Sequence, residues 1–302
     1  MGVREAFDEF RSRLELDGSY QETISARHDW LRGYLENHMP GIRTQLIGSL
    51  QRRTRIDPPS GLQGFDIDIL AELGSFVAWI PGGITCDAAL DSVEGTVKGN
   101  YQYQKMGVQE DRPSIVIPYE DGSSLEIVPA YQNMIPNTAG LGRSYWVPKR
   151  GAWKPADYDY DADWISKTND QCDDRLVPCI KMLKAWRRER CPQLRSYHLE
   201  VLVASRLPTG LIPLDGKGLG SKWPYVLAAA FELLKDVIDL APLTIPGSAS
   251  EPADVYLQPV ARAAIKAVIV ATAGAAWSTF SLTEGDAVAR WRLIFGAPFP
   301  SS

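Results

Sequence analysis

The chain has 302 residues, 45% of them hydrophobic and 23% charged, with a net charge of −5. That length holds one large domain or two packed lobes, and the composition is that of a folded globular chain without disordered tails. The acidic balance argues against a long nucleic acid as main partner, although basic residues gather at 43–55 and 181–195, as suits a small polyanion.

In chain order, apolar residues at Val3, Phe7, Phe10 and Leu14 predict a first helix over 3–15, which is not the pattern of a signal peptide. Ser19-Tyr20-Gln21-Glu22 has the form of a capping box and predicts a second helix running to about residue 37. Residues 43–47 read as a short strand leading into Gly48-Ser49, and 56–64 as a Pro/Gly/Ser loop. Residues 65–73 are apolar except at Asp66, Asp68 and Glu72, which suits a central strand. A turn at 81–83, a helix over 88–100, a strand over 114–118, a hairpin turn at Glu120-Asp121-Gly122 and a strand over 124–131 follow. The first half is therefore expected to be a mixed α/β lobe with about five strands.

Residues 132–162 read as a loop-rich connection. Helices are then predicted over 173–190, 196–205, 223–238, 255–279 and 284–295, with a Gly/Pro loop at 207–222. The stretch 261–280 is very apolar but contains Arg262 and Lys266, so a buried or amphipathic helix explains it better than a membrane span. Cys86, Cys172, Cys179 and Cys191 form no CxxC pair. They read as buried thiols of a reducing cytosol; grouping three of them with His198 matches no zinc spacing.

The chemistry concentrates in three places. Asp66 and Asp68, two apart in a strand, share one face. Such a pair repels itself unless it faces water or shares a divalent cation. Glu126 is an isolated acid between Leu125 and Ile127, and a neighbouring strand would bring it beside the pair. Gly48-Ser49 can approach a phosphate through its backbone and hydroxyl, and Arg52, Arg53 and Arg55 can neutralise its charge; alone, the pair is only a turn. In the second half, Lys181 and Lys184 are either a solvated helix face or phosphate ligands. Tyr197 is either a core aromatic or a platform for a base. His198 reads as structural. Gly216-Lys217-Gly218-Leu219-Gly220-Ser221-Lys222 lacks the phosphate-loop spacing and reads as a surface loop.

Taken together, Gly48-Ser49, Asp66-Ile67-Asp68 and Leu125-Glu126-Ile127-Val128-Pro129-Ala130 resemble the polymerase-β-like nucleotidyltransferases. The resemblance is greatest to the bacterial cyclic-oligonucleotide synthases (CD-NTases) of the cyclic GMP-AMP synthase and oligoadenylate synthetase group. Lys181-Met182-Leu183-Lys184-Ala185-Trp186 and Leu194-Arg195-Ser196-Tyr197-His198-Leu199-Glu200 resemble their helical lobe. The resemblance implies an α+β, bilobal fold, with a catalytic lobe and its N-terminal helices over 1–150 and a helical lobe over 151–302. It implies that Asp66, Asp68 and Glu126 are catalytic and bind two Mg²⁺ or Mn²⁺ ions. Gly48, Ser49, Arg53, Lys181, Lys184, Ser196 and Tyr197 then bind nucleotide, with Lys181 and Ser196 on the donor triphosphate and Tyr197 on a base.

The implied reaction joins ribonucleoside triphosphates into a cyclic di- or trinucleotide, a second messenger of antiphage (CBASS) defence. The implied setting is the cytoplasm, without a membrane or long nucleic acid, and with room for a regulatory protein partner encoded elsewhere. Two departures stand out. Glu126 occupies a position where many relatives carry aspartate, and no Cys/His insertion is present, so activation by double-stranded DNA is not expected. A nucleotidyltransferase acting on RNA ends or on a protein would share the three acids, whereas a non-catalytic nucleotide sensor would be expected to lose one.

Overall fold

The alternation predicted for the acid-bearing strand decides how the first lobe is built. The computed structural model describes residues 1–57, 65–75, 84–111, 113–132, 144–240, 243–246 and 252–301. The predicted turn at 81–83 and most of the loop at 56–64 lie outside them. Strand β2 (Asp66–Ser75) pairs with β1 (Arg43–Leu46) on one side and, in parallel, with β5 (Ser124–Gln132) on the other. Beyond β5 lie β4 (Ser114–Pro118) and β3 (Gln109–Asp111), both antiparallel. The far end of β5 also pairs with β6 (Tyr145–Lys149), which forms a hairpin with β7 (Ala152–Ala156).

Odd-numbered β2 residues Ile67 and Ile69, with Leu125 and Ile127 of β5, are buried against Leu31 and Leu35 of helix α2 (Gly18–His38) and Leu90 and Val93 of α4 (Cys86–Lys98). The even-numbered acids are thereby turned to the opposite face. Helix α2 begins before the predicted capping box. Asp17 is its N-cap, accepting from the Ser19 backbone N–H at 2.7 Å, and Ser19 lies inside the first turn.

The second core is helical. It joins α7 (Leu176–Arg190), α8 (Ser196–Asp215), α9 (Trp223–Val237), α10 (Pro259–Ser278) and α11 (Glu284–Phe295) around Trp186, Phe231, Trp291 and Phe295. Helix α1 (Val3–Arg13) belongs to this core rather than to the sheet lobe. Phe7 meets Trp291 edge-on at 5.1 Å, and Phe10 packs on Phe295 at 4.7 Å. The expected division at 150/151 also falls inside the β6–β7 hairpin, where Lys149 pairs with Ala152. The chain thus enters through the helical core before building the sheet.

Two further expectations are corrected. Residues 145–162, within the stretch read as a loop-rich connection, hold β6, β7 and the start of α6 (Tyr158–Gln171), so the described sheet has seven strands rather than about five. Helix α8 runs through Pro208 and Pro213 to Asp215, where a loop was expected. Leu207, Leu211 and Leu214 keep the helical spacing into the core, and that burial outweighs the hydrogen bonds the prolines remove. Helix α10 and its 3₁₀ extension, Pro259–Ser281, form the one described helix long and apolar enough to cross a membrane by length and composition. Ile265, Ile269, Ala273 and Ala276 nevertheless face the helical core, and Arg262 pairs with Asp254 at 2.5 Å.

Candidate active site

The site begins at the joint between β1 and the short helix α3 (Gly48–Gln51). The Ile47 backbone N–H donates to the Asp68 carbonyl at 2.9 Å, which ties this joint to β2. Gly48 sits at φ +68°, and a β-carbon built there would lie 2.1 Å from Oδ2 of Asp68. Both the backbone conformation and the close approach require glycine. The chain then winds tightly, with Arg52 N–H on the Gly48 carbonyl at 3.2 Å and Thr54 N–H on that of Ser49 at 3.0 Å. Arg53, at φ +59°, is exposed.

The parallel register of β2 and β5 sets Asp68 opposite Glu126 and Asp66 opposite Ser124. Ser124 Oγ donates to Asp66 Oδ1 at 2.8 Å. All three acids stand on the face away from α2 and α4, and the charge of Asp66 acts on the other two. Burial, then the charge of Asp66, pushes Asp68 up to about 6, against the pull of Arg52, Arg55 and Lys184. Burial, then Asp66, Asp68 and Asp111, pushes Glu126 up to about 7. Arg55 lies over the Phe65 ring at 3.9 Å and donates to the Asp66 carbonyl at 3.4 Å.

Three carboxylates sharing a face are the oxygen-donor set that Mg²⁺ or Mn²⁺ takes, and their mutual repulsion is what a bound cation relieves. By their donor chemistry and shared face the residues suit such an ion. Among the described residues, however, no three acid, His or Cys side chains close around one point as they stand. The four cysteines are buried and form no disulfide, as expected.

The helical side supplies the second wall. Tyr197, in the first turn of α8, donates its hydroxyl to Asp161 of α6 at 2.6 Å, and the Arg52 guanidinium lies over its ring at 4.7 Å. Ser196 Oγ accepts from Arg187 at 3.3 Å. Lys181 is ion-paired with Glu15 at 2.6 Å.

Lys184 is placed differently from the phosphate ligand that the resemblance implied. It is buried, and its three donors are spent on the Thr54 carbonyl (3.0 Å), Thr54 Oγ1 (3.1 Å) and Glu200 Oε1 (2.6 Å). Glu200 also accepts from Arg52 Nε at 2.8 Å and Thr54 Oγ1 at 2.9 Å. Burial opposes its ionisation, yet Arg52 and Lys184 hold its carboxyl down at about 2. Arg52, expected to meet phosphate, is likewise turned inward. The sequence reading missed Glu200, although the signal resembles that of Glu126: an acid within an apolar run, Leu199 to Val203. A 630 Å³ cavity opens elsewhere, among Phe7, Arg11, Trp223, Phe280 and Trp291, and none of the three acids lines it.

Residues 1–169 match the family model of the Second Messenger Oligonucleotide or Dinucleotide Synthetase (SMODS) domain. The chain belongs to this family. It is a SMODS nucleotidyltransferase of the bacterial CD-NTase kind. It is similar to a probable cyclic nucleotide synthase of Bacillus cereus, at 24% identity over 239 residues, 66% of this chain and 69% of that one. It is also similar to a cyclic AMP-AMP-AMP synthase of Acinetobacter, at 25% identity over 219 residues, 68% of this chain and 59% of that one. Among solved structures, E. coli MS115-1 CdnC with ATP superposes with a TM-score of 0.75 at 16% identity, over 99% of both chains. At that identity the likeness shows the fold, which is the bilobal polymerase-β-like one expected.

Proposed function

We propose that this SMODS enzyme condenses ribonucleoside triphosphates into a cyclic di- or trinucleotide with release of pyrophosphate. The observation that carries the reading is the register of β2 and β5, which sets Asp68 beside Glu126 with Asp66 on the same face. Asp66, Asp68 and Glu126 would hold the divalent ions. When bound, such ions neutralise charge developing on the transferring phosphoryl group and lower the pKa of a coordinated hydroxyl.

The chain's own residues do the rest. The Gly48–Ser49 turn and Lys181 hold the donor phosphates, and Tyr197 offers its ring face to a base. Glu126, whose carboxyl is pushed up towards neutrality, receives the proton of the attacking ribose hydroxyl. The oxygen attacks the α-phosphorus in line, pyrophosphate leaves, and a second transfer closes the ring. Positioning and charge stabilisation drive both transfers, with no covalent enzyme intermediate.

The product is read as a second messenger of antiphage defence in the cytoplasm. E. coli CdnC has been solved in complex with HORMA-deltaN, which supports looking for a regulatory protein partner here as well. The test is to incubate the purified chain with all four ribonucleoside triphosphates and Mg²⁺ or Mn²⁺ and identify products by mass spectrometry. Cyclic products that disappear in an Asp66→Asn/Asp68→Asn variant support the reading. Tailing of added RNA, or AMP attached to a protein, overturns it.

A further inference from the structure

Glu200 is 1% exposed and lies in the interior between the lobes, where an ion pair is seldom the most stabilising solution. Its two oxygens nevertheless gather Arg52 and Thr54, which follow the Gly48–Ser49 turn, together with Lys184 of α7. Glu200 also sits one helical turn after Tyr197, on the same side of α8. The Arg52 guanidinium that it binds is the one lying over the Tyr197 ring. One carboxylate therefore connects the segment carrying the phosphate turn with the helix carrying the aromatic platform.

We propose that Glu200 is a positioning residue: it fixes the 48–54 turn against the start of α8, so that phosphate-binding and base-binding groups address the same nucleotide. The inference rests on the nucleotidyltransferase reading above for its kinetic consequence, but its structural consequence can be measured without turnover. Two cations against one carboxylate leave the network a net positive charge. Glu200→Gln alone adds to that charge, whereas Glu200→Gln with Lys184→Met restores it and is the variant chosen to spare the fold.

The experiment compares wild type, Glu200→Asp and the Glu200→Gln/Lys184→Met double variant by thermal melting, amide hydrogen exchange and steady-state kinetics. In the double variant the amides of Arg52 and Thr54, bonded to the Gly48 and Ser49 carbonyls, should exchange at least about tenfold faster. Its KM for nucleotide should rise about tenfold or more while kcat changes less than about threefold, and Glu200→Asp should recover most of the loss. A double variant that melts lower but keeps wild-type exchange at 48–54 and wild-type KM overturns the proposal and leaves Glu200 a structural residue only. If wild type itself makes no nucleotide product, the reaction assignment falls. The exchange rates at 48–54 then decide the positioning role alone.

Discussion

Gly48 and Asp68 approach so closely that a β-carbon on the glycine would sit 2.1 Å from the aspartate's Oδ2. Under the proposed function the contact joins the phosphate turn to an acid of the catalytic face, and its consequence is then chemical as well as steric. Gly48→Ala meets two obstacles, a positive φ and a carboxylate that must move. The backbone strain costs on the order of 1 kcal/mol. A displacement of Asp68 by about an ångström can cost about a hundredfold in turnover. The expected outcome is a folded protein with a modestly lowered melting point and at least about a hundredfold less product. Melting by circular dichroism, measured beside product formation, checks it.

The acid face should weaken the metal-free fold at neutral pH. The carboxyl of Asp68 is raised from 3.8 to about 6, by burial and then by the charge of Asp66, and that of Glu126 from 4.5 to about 7, by burial and then by Asp66, Asp68 and Asp111. Groups raised in the folded state bind more protons there than in the unfolded chain. Their stabilising contribution is complete below the unfolded values and is lost as pH rises through 7. Glu126→Gln is therefore expected to raise the melting point in chelator at pH 8, and to raise it less at pH 5, while abolishing product formation. Added Mg²⁺ or Mn²⁺ should stabilise wild type more at pH 8 than at pH 6. A Glu126→Gln protein that melts below wild type at pH 8 in chelator contradicts the account.

How far the sequence was legible depends on where the deciding interaction lies. Alternation in β2 and β5 announced the acid face, because a period of two marks a strand on local evidence alone. The Pro208–Pro213 stretch misled, since proline is a local signal and the burial of Leu207, Leu211 and Leu214 that overrides it is tertiary. Helix α1 looked like a companion of its neighbour α2; only the partners of Phe7 and Phe10 reveal its true core. Lys184 matched a phosphate ligand in type and position. Its role turns on Glu200 and Thr54, sixteen residues downstream and far upstream in the chain, which spacing does not link.

Tyr197 offers a test of the base platform. Its hydroxyl donates to Asp161 and its ring lies beside Arg52. If the ring face is what a nucleotide uses, Tyr197→Phe keeps the platform and loses only the hydroxyl bond. Tyr197→Ala removes a stacking surface of about 1–3 kcal/mol. The alanine variant should raise KM by roughly tenfold to a hundredfold, with phenylalanine within about threefold of wild type. Equal losses in both variants would show that the bond to Asp161, and not the ring, is what matters.

His198 should give a pH dependence of opposite sign to that of the acids. Burial pushes its imidazole from 6.5 down to about 4, with Asp254 opposing and Arg262 assisting, and its Nδ1 shares a hydrogen bond with the Tyr256 hydroxyl at 3.0 Å. A lowered folded value means the unfolded chain takes up more protons between 4 and 6.5, so this contribution is lost as pH falls through that window. The loss is on the order of 3 kcal/mol over the whole window. His198→Gln should flatten the acid limb of the stability curve, as followed by urea unfolding at pH 4.5, 5.5 and 6.5. An unchanged slope would show that the imidazole is not held neutral.

Lys181 meets Glu15 at 2.6 Å, a pair whose carboxylate is 61% exposed. Such a pair contributes no more than about 1 kcal/mol to stability, so it is a weak reason for a lysine to stand there. A donor triphosphate presents more negative charge and would take the ammonium from Glu15. Lys181→Met should therefore raise the KM for nucleotide by about tenfold or more with little change in melting point. Glu15→Gln frees the same ammonium and should leave KM unchanged or lower it. A Glu15→Gln variant whose KM rises as far as that of Lys181→Met would mean that the ion pair itself, rather than a phosphate, is what Lys181 serves.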